Sequence, residues 1–469
     1  MKSITTDLDR LFNPSSVAII GASRNASKSG GRFLKSLIDH GFRGKLYPVN
    51  ARESEIMGLR SYQGVRDIPD EVDLAILTVP ATSVPQVIGE CSQRGVKFAV
   101  VHSAGFAEAG IDGIKLEQEM LRNVRQGRPR IIGPNCMGIY SPSAQINTIA
   151  PPVTVNDAKE GKHESGSVAF VGQSGWVTEN IIHMGYERGL RFSKVLSIGN
   201  QSDLTIEEVL EFLAADDNTK VIALYVEGLK RGHEFFRLAK GITKHKPVIV
   251  WKTGRTEAGI QAAMSHTASL AGNHLVFDAV MAQSGIIPAR NLQELIDLAI
   301  GFSCPVLPTG NKLGVLVTSG GGAVAIADVA EGLEIDIPPL SDESQRELAE
   351  KLKDKIPAML TPRNPVDLVW IPAVDPIQVS RECWRIMLKE MDAVIDVNYT
   401  DYDDSFVEAV KNVMYEAGKP IMIVPGHPSE RRAGMSLLTR NGIPTFVIPE
   451  WAVRTLAAMI RYANHRQQS

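Results

Sequence analysis

From Val17 onward, short apolar runs alternate with amphipathic stretches of helical period, and this pattern restricts the fold more than any other feature. Runs such as Val17-Ala18-Ile19-Ile20-Gly21, residues 74–80 and residues 98–102 are apolar on both faces, so each needs a layer above and below it. Parallel strands meet that need, because every crossover lays a helix on the sheet. The expected fold class is therefore α/β, with consecutive open parallel-sheet units. A length of 469 residues exceeds one ordinary domain. With 44% hydrophobic residues, 22% charged residues and a net charge of −3, the chain reads as soluble and globular. No apolar run approaches the roughly 20 residues of a membrane span, and the first residues lack the apolar core of a leader peptide. Cys91, Cys136, Cys304 and Cys383 lie far apart, which argues against zinc and disulfides and for a reducing, cytoplasmic setting. The absence of basic blocks argues against nucleic acid as a partner.

The early strands break into small or polar residues at their carboxyl ends, the edge where open α/β sheets bind ligands. Gly21 runs into Ala22-Ser23-Arg24-Asn25-Ala26-Ser27-Lys28, and a helix follows from about residue 32 to 40. Open N–H groups at that helix start, the helix dipole and the charges of Lys28 and Arg32 favour a phosphate. The glycine spacing is not GxGxxG. The second strand ends in Asn50 rather than in the acid that takes an NAD ribose, so a dehydrogenase is disfavoured. Val79-Pro80 stops the next strand at a residue that cannot continue a ladder. His102-Ser103-Ala104 and Gly133-Pro134-Asn135-Cys136 close two more. His102, beside a buried strand, reads as structural; Cys136 reads equally as a small core residue or as the neighbour of a thiol ligand. Residues 141–165, with several prolines and charges, read as a linker.

A second α/β unit starts with Ser167-Val168-Ala169-Phe170-Val171, followed by Gly172-Gln173-Ser174-Gly175-Trp176 and a helix, a turn that again suits an anion. Strands are expected at 194–198, 221–226 and 248–252, which leaves Glu227 and Lys252-Thr253-Gly254-Arg255 at the ligand edge. Taken alone, Glu227 reads as a solvated strand-end carboxylate. Residues 262–272 set one histidine, His266, in a run of small residues with only Met264 and Leu270 for bulk. Such a loop is free to move and leaves the ring approachable, although by itself it is also what a surface histidine looks like. A third unit opens at residues 312–318, with later strands expected at 393–397, 420–424 and 445–448. Its Ser319-Gly320-Gly321-Gly322 turn reads as a phosphate site or as a tight strand–helix connection.

Several of these stretches together resemble one family. Val17-Ala18-Ile19-Ile20-Gly21-Ala22-Ser23, Tyr47-Pro48-Val49-Asn50, Ser103-Ala104-Gly105-Phe106 and Gly133-Pro134-Asn135-Cys136 resemble the CoA-binding domain of the NDP-forming acyl-CoA synthetases. Gly172-Gln173-Ser174-Gly175, Val226-Glu227-Gly228 and Ser265-His266-Thr267-Ala268-Ser269-Leu270-Ala271-Gly272 resemble the second domain of the same superfamily, which includes succinyl-CoA synthetase. The resemblance covers nearly the whole chain in the family's order. It implies a Rossmann-like CoA-binding domain at 1–145, a flavodoxin-like ligase domain at 146–307 and a third ligase-like domain at 308–469.

In that family an acyl-CoA is attacked by phosphate to give an acyl phosphate and CoA. The phosphoryl group then passes to a histidine and on to ADP or GDP. The resemblance implies that His266 is the phosphorylated nucleophile and that Glu227 orients its ring. It makes Gln173, Ser174 and Gly175 the phosphate cradle. CoA would be held by Gly21, Ala22, Ser23, Lys28, Pro48 and Asn50, with Val79, Pro80, Ser103, Ala104, Asn135 and Cys136. Trp176, where a small residue is expected, would either pack in the core or line the acyl pocket. No ATP-grasp segment follows the third unit. The resemblance therefore implies an α subunit whose β partner supplies ADP/ATP and Mg2+, in an α2β2 assembly, with no metal on this chain. A CoA-binding regulator without turnover is the competing reading, disfavoured by the presence of both His266 and Glu227. A protein acetyltransferase on the same scaffold lacks its extra domain here.

Overall fold

The computed structural model describes residues 4–149, 152–159, 163–261, 274–353, 362–368 and 375–468. The apolar runs become strands because both of their faces are covered. In β1 (Ser16–Ile20), Val17 and Ile19 join one buried cluster while Ala18 and Ile20 join another on the opposite face. β1, β2 (Lys45–Val49), β5 (Leu74–Leu77), β6 (Phe98–Val101) and β7 (Arg130–Ile132) form a parallel sheet in the order β2-β1-β5-β6-β7. A short hairpin of β3 (Glu55–Ile56) and β4 (Leu59–Arg60) hangs beside it. Pro48 sits in β2 at the sheet's edge, where its missing N–H costs no ladder bond.

The second sheet comprises β8 (Gly138–Ser141), β9 (Ile146–Asn147), β10 (Val168–Gly172), β11 (Phe192–Ser197), β12 (Val221–Val226), β13 (Val248–Lys252) and β14 (Ile287–Ala289). Its order is β14-β13-β12-β10-β11-β8-β9, parallel except for β8 and β9. Residues 141–165 are thus not a plain linker. They supply β9 and a helix, Pro152–Lys159, because Asn147 ties into the fold through its side chain and through its carbonyl, which accepts from the Ser36 hydroxyl at 2.8 Å.

These two sheets lie in one compact unit, Met1–Met184 with Arg191–Leu292. One apolar cluster runs through both, from Phe12 and Ile19 to Val171 and Phe212, with the Phe12 and Phe212 rings stacked at 5.5 Å. Gly185–Leu190 and Gln293–Ser469 make up the other unit. Its parallel sheet, β16-β15-β17-β18, consists of β15 (Leu313–Val317), β16 (Val366–Asp367), β17 (Ala393–Asn398) and β18 (Ile421–Pro425). The strand expected at 445–448 does not form. Thr445 makes a single bridge to Ile423, and a helix starts at Pro449 before a ladder can extend. In all three sheets the chain order reverses beside the first strand, at β1, β10 and β15, and that switch opens a crevice at the carboxyl edge.

The opposite, amino edge of the first sheet is fastened by Asp73. Its carboxylate accepts from the Ser15 N–H at 2.8 Å and from Lys97 Nζ at 2.6 Å, with Arg10 at 3.6 Å. Burial opposes ionisation, but the hydrogen bonds and the charge of Lys97 outweigh it and hold this carboxyl below the usual carboxylate range. A depressed folded-state value adds stability that is complete above the unfolded value of about 3.9 and is lost as pH falls through the folded value. Asp73→Asn should cost about 1–3 kcal/mol in urea unfolding at pH 7, and the deficit should vanish in acid. A deficit that stays the same at pH 3 and pH 7 would assign the effect to packing instead.

Candidate functional site

At the first sheet's switch the backbone turns sharply after β1. Gly21 has φ +91°, and a Cβ on Gly30 would lie 2.1 Å from the Gly21 carbonyl oxygen, so only glycine lets the next helix, Ser29–Asp39, start so close to the strand end. No side chain caps that helix at Lys28 and its first turn holds no acid, which leaves its opening N–H groups suited to an anion. Lys28 itself is exposed. Asn50 is spent on the fold: its amide donates to the Ala22 carbonyl at 2.8 Å and its oxygen accepts from the Arg52 and Glu53 N–H groups. Ser23 likewise accepts from the Asn25 N–H, and Pro48 is buried. Thr78, which the sequence did not single out, closes the turn from below by donating to the Ile20 carbonyl at 3.0 Å.

The next three strand ends knit together. The Ser103 hydroxyl donates to the Val79 carbonyl, and the Asn135 N–H donates to the Ser103 carbonyl at 3.1 Å. Pro80 and Ala104 are exposed beside them. Of the two readings of Cys136, the structure supports the core residue. It is 3% exposed, its Sγ lies 3.5 Å from the Val101 carbonyl oxygen, and burial pushes the thiol up to about 12. His102 is structural as expected, with Nδ1 2.8 Å from the Cys136 carbonyl oxygen and the ring edge-on to Phe33.

The second switch brings Gln173, after β10, to Glu227, after β12. Gln173 Oε1 accepts from the Glu227 N–H at 2.6 Å and from the Gly228 N–H at 3.0 Å. Glu227 is not a solvated strand-end carboxylate, for it is only 6% exposed. Its Oε1 accepts from the Tyr225 hydroxyl at 3.2 Å, while Oε2 is sealed from solvent with no partner among the described residues. A buried carboxylate oxygen without a donor is costly and is the natural acceptor for one N–H brought to it. Burial, together with the Glu227 charge, pushes the Tyr225 phenol up to about 12. Lys252, also 6% exposed, donates from Nζ to the Glu227 carbonyl at 2.8 Å and to the Thr253 carbonyl, and burial lowers its pKa.

His266 lies outside the described residues, as does the rest of 262–273. The segments that flank it are described. Arg255, just after β13, holds Asp278 in the helix His274–Ser284 through two bonds of 2.7 Å. Arg255 follows β13, which pairs with β12, the strand that runs into Glu227.

Ser174 and Gly175 begin the helix Gly175–Glu187, whose first turn is free of acids. The Ser174 hydroxyl accepts from the Val177 N–H at 3.4 Å. Trp176 does not pack in the core; it is 65% exposed. The turn after β7 reaches this helix start, since a Cβ on Gly175 would lie 2.8 Å from Met137 Cγ. The same turn is pinned to the second sheet: Asn200 and Ser202 donate to the Pro134 and Gly133 carbonyls at 3.0 Å, and Met137 N–H donates to Ser197 Oγ. The two carboxyl edges thus meet within one unit. In the third sheet, by contrast, a Cβ on Gly320 would lie 3.2 Å from Asp367 Oδ2, so an acid already stands by the Ser319-Gly320-Gly321-Gly322 turn, which favours the tight connection.

Comparison with known proteins bears on the same segments. A CoA binding domain matches residues 15–142, and a succinyl-CoA ligase like flavodoxin domain matches 165–302. The ADP-forming acetate–CoA ligase II α subunit of Pyrococcus furiosus is 36% identical, over 98% of this chain and 98% of its own. The ADP-forming acetate–CoA ligase I of Archaeoglobus fulgidus is also 36% identical, but this chain spans only 64% of it. Among solved structures, an acetyl-coenzyme A synthetase 1 of Ca. Korarchaeum cryptofilum, determined with phosphate and ADP, superposes with a TM-score of 0.84 at 33% identity, covering 98% of this chain and 97% of that one.

The Gln173 amide oxygen is the acceptor that fixes the strand end bearing Glu227. Gln173→Leu should cost about 1–3 kcal/mol in urea unfolding, because two buried N–H groups lose their acceptor. An unfolding midpoint equal to that of the unaltered chain would show that other groups hold the turn.

Proposed function

The chain belongs to the ADP-forming acetate–CoA ligase α-subunit family of the succinyl-CoA synthetase superfamily, and we propose that His266 carries its phosphoryl group. The reaction interconverts acyl-CoA, ADP and phosphate with carboxylic acid, CoA and ATP. Phosphate attacks the thioester carbonyl, and CoA leaves as the thiol. A ring nitrogen of His266 then attacks the phosphorus of the acyl phosphate, and the carboxylate departs. ADP finally takes the phosphoryl group from the histidine.

The observation that carries this reading is Glu227 Oε2, buried and without a donor among the described residues, at the end of the strand that pairs with β13. One imidazole N–H satisfies it, fixing the tautomer that presents the other nitrogen to phosphorus and steadying the cation formed on attack. Gln173, Ser174 and Gly175 would meet the phosphoryl oxygens at the helix start, where N–H groups and the dipole favour negative charge. Trp176, exposed next to that start, would border the acyl group.

CoA fits the first sheet. Its phosphates suit the uncapped helix start after Lys28, and its arm would run past Gly21, Ala22 and Ser23 toward Val79, Pro80, Ser103, Ala104 and Asn135. Pro48, Asn50 and Cys136 would shape that path from within rather than touch the ligand. We read the chain as domains 1–145, 146–307 and 308–469, with β8 of the first lent to the second sheet. Relatives of this length are named α subunits, so the enzyme has more than one subunit. An ATP-grasp β subunit in an α2β2 assembly would supply the site for ADP/ATP and Mg2+. No helix among the described residues is long and apolar enough to cross a membrane, and a cytoplasmic location follows from our reading of the cysteines.

With the β subunit present, acetyl-CoA and radioactive phosphate should give an acid-labile, base-stable label on this chain. His266→Ala should remove the label while CoA affinity stays within about twofold, and Glu227→Gln should slow labelling by about 10–1000-fold, the scale of losing one preorganised group. A label that persists in His266→Ala would place the phosphoryl group elsewhere.

A further inference from the structure

Glu108 lies in none of the sites above, yet its carboxylate joins the loop after β6 to the loop after β11. It sits in a short helical turn, Ala107–Ala109, next to Ser103-Ala104-Gly105-Phe106. Its Oε1 accepts from the Gly105 N–H at 2.6 Å and the Phe106 N–H at 3.2 Å. A carboxylate that merely stapled its own turn would need nothing more. Its Oε2, however, accepts from the Asn200 side-chain amide at 2.6 Å, across 92 residues. Asn200 in turn donates its backbone N–H to Pro134, and Asn135 donates to Ser103. The bonds close a ring through the chain: Gly105 and Phe106 to Glu108, Asn200 to Glu108, Asn200 to Pro134, and Asn135 back to Ser103, two residues before Gly105.

We infer that Glu108 is a positioning residue for acyl transfer, which through Asn200 sets the distance between the CoA-arm turn 103–106 and the phosphate-binding edge of the second sheet. The inference rests on the function proposed above. The thioester carbon is delivered by the first sheet and the attacking phosphate by the second, so their alignment depends on how rigidly the two edges are joined. A misplacement near 1 Å costs about 100-fold in rate. The bond is strong for its size, since an ionised acceptor shortens and strengthens it. Burial opposes the charge on Glu108, but the Asn200 amide and the Gly105 and Phe106 N–H groups outweigh it and hold the carboxyl below its usual range. Glu108 touches neither reactant and moves no proton, so its removal should act on turnover more than on affinity.

The test exchanges donor and acceptor in the complete enzyme with its β subunit, measuring ATP formation from acetyl-CoA, ADP and phosphate. Asn200→Asp faces two carboxylates across the bond. It should lower kcat about 10–100-fold while the KM for acetyl-CoA moves less than about threefold and the protein stays folded. Adding Glu108→Gln restores a donor–acceptor pair with the roles reversed, and kcat should return to within about threefold of wild type. A merely structural bond would show lost stability without this recovery in kcat. Should Asn200→Asp fail to fold, Asn200→Ala takes its place against Glu108→Ala, and the two should lower kcat alike. Active wild type with unchanged kcat in Asn200→Asp, or a folded double variant as slow as the single, overturns the inference alone. A wild-type complex that makes no ATP overturns the proposed function, and this inference with it.

Discussion

Everything that bears on chemistry in this chain depends on one piece of backbone pairing, in which the turn 133–137 docks on residues 197–202. Gly199, with φ +58°, allows it: a Cβ there would lie 2.2 Å from the Pro134 carbonyl oxygen. No other residue type fits a left-handed position at such an approach. Around that contact Arg130, at the start of β7, reaches Asp203 and Glu208, and the Ile131 N–H donates to Asp203 at 2.7 Å. The two sheets are thereby joined at their carboxyl edges. The shared apolar cluster alone would hold them together, but burial is not directional. Hydrogen bonds between strand-end loops fix the register of one edge against the other, as acyl transfer between two separately bound reactants requires.

Much of this fold could be read from the sequence for a simple reason. Val17-Ala18-Ile19-Ile20, Leu74-Ala75-Ile76-Leu77 and Phe98-Ala99-Val100-Val101 are apolar at every step because both faces of a parallel sheet are covered, and few other folds write that pattern. What failed was local. Thr445-Phe446-Val447-Ile448 is as apolar as a strand, but Pro449 starts a helix at once and leaves room for a single bridge. Residues 141–165 looked like a linker because β9 is two residues long and pairs antiparallel, which no periodicity records.

The candidate site was legible as positions rather than as environments. Small residues at the ends of β1 and β10 marked the turns, because only a short side chain lets a helix start so near a strand. Burial could not be read. Glu227 looked solvated because most carboxylates are, and its enclosure comes from Gln173, Tyr225 and Lys252, residues up to 54 positions away. Trp176 read either as core or as a wall of the acyl pocket; it is 65% exposed at the first turn of its helix, which rules out the core. Asn50, named for CoA by the resemblance, and Cys136, read equally as core or as a thiol neighbour, both bond to the backbone of the turns around them. A residue chosen by motif can belong to a site without facing it.

The placement of Lys252 shows how such a site keeps its function open. A buried ammonium next to a buried carboxylate would ordinarily close into an ion pair. Here Nζ is turned to two backbone carbonyls, Glu227 and Thr253, and no carboxylate lies within ion-pair distance of it among the described residues. Burial lowers the Lys252 pKa, and the nearby Glu227 charge acts against that shift. Had Lys252 bonded directly to Oε2, the imidazole we propose for this oxygen would have to displace a charge-assisted bond worth about 1.5–3 kcal/mol. Binding carbonyls instead supplies the field without occupying the acceptor. Gln173, a neutral side chain, holds the strand end in a compatible way: an acid there would repel Glu227, and on the proposed reading a base would compete for the oxygen offered to the histidine.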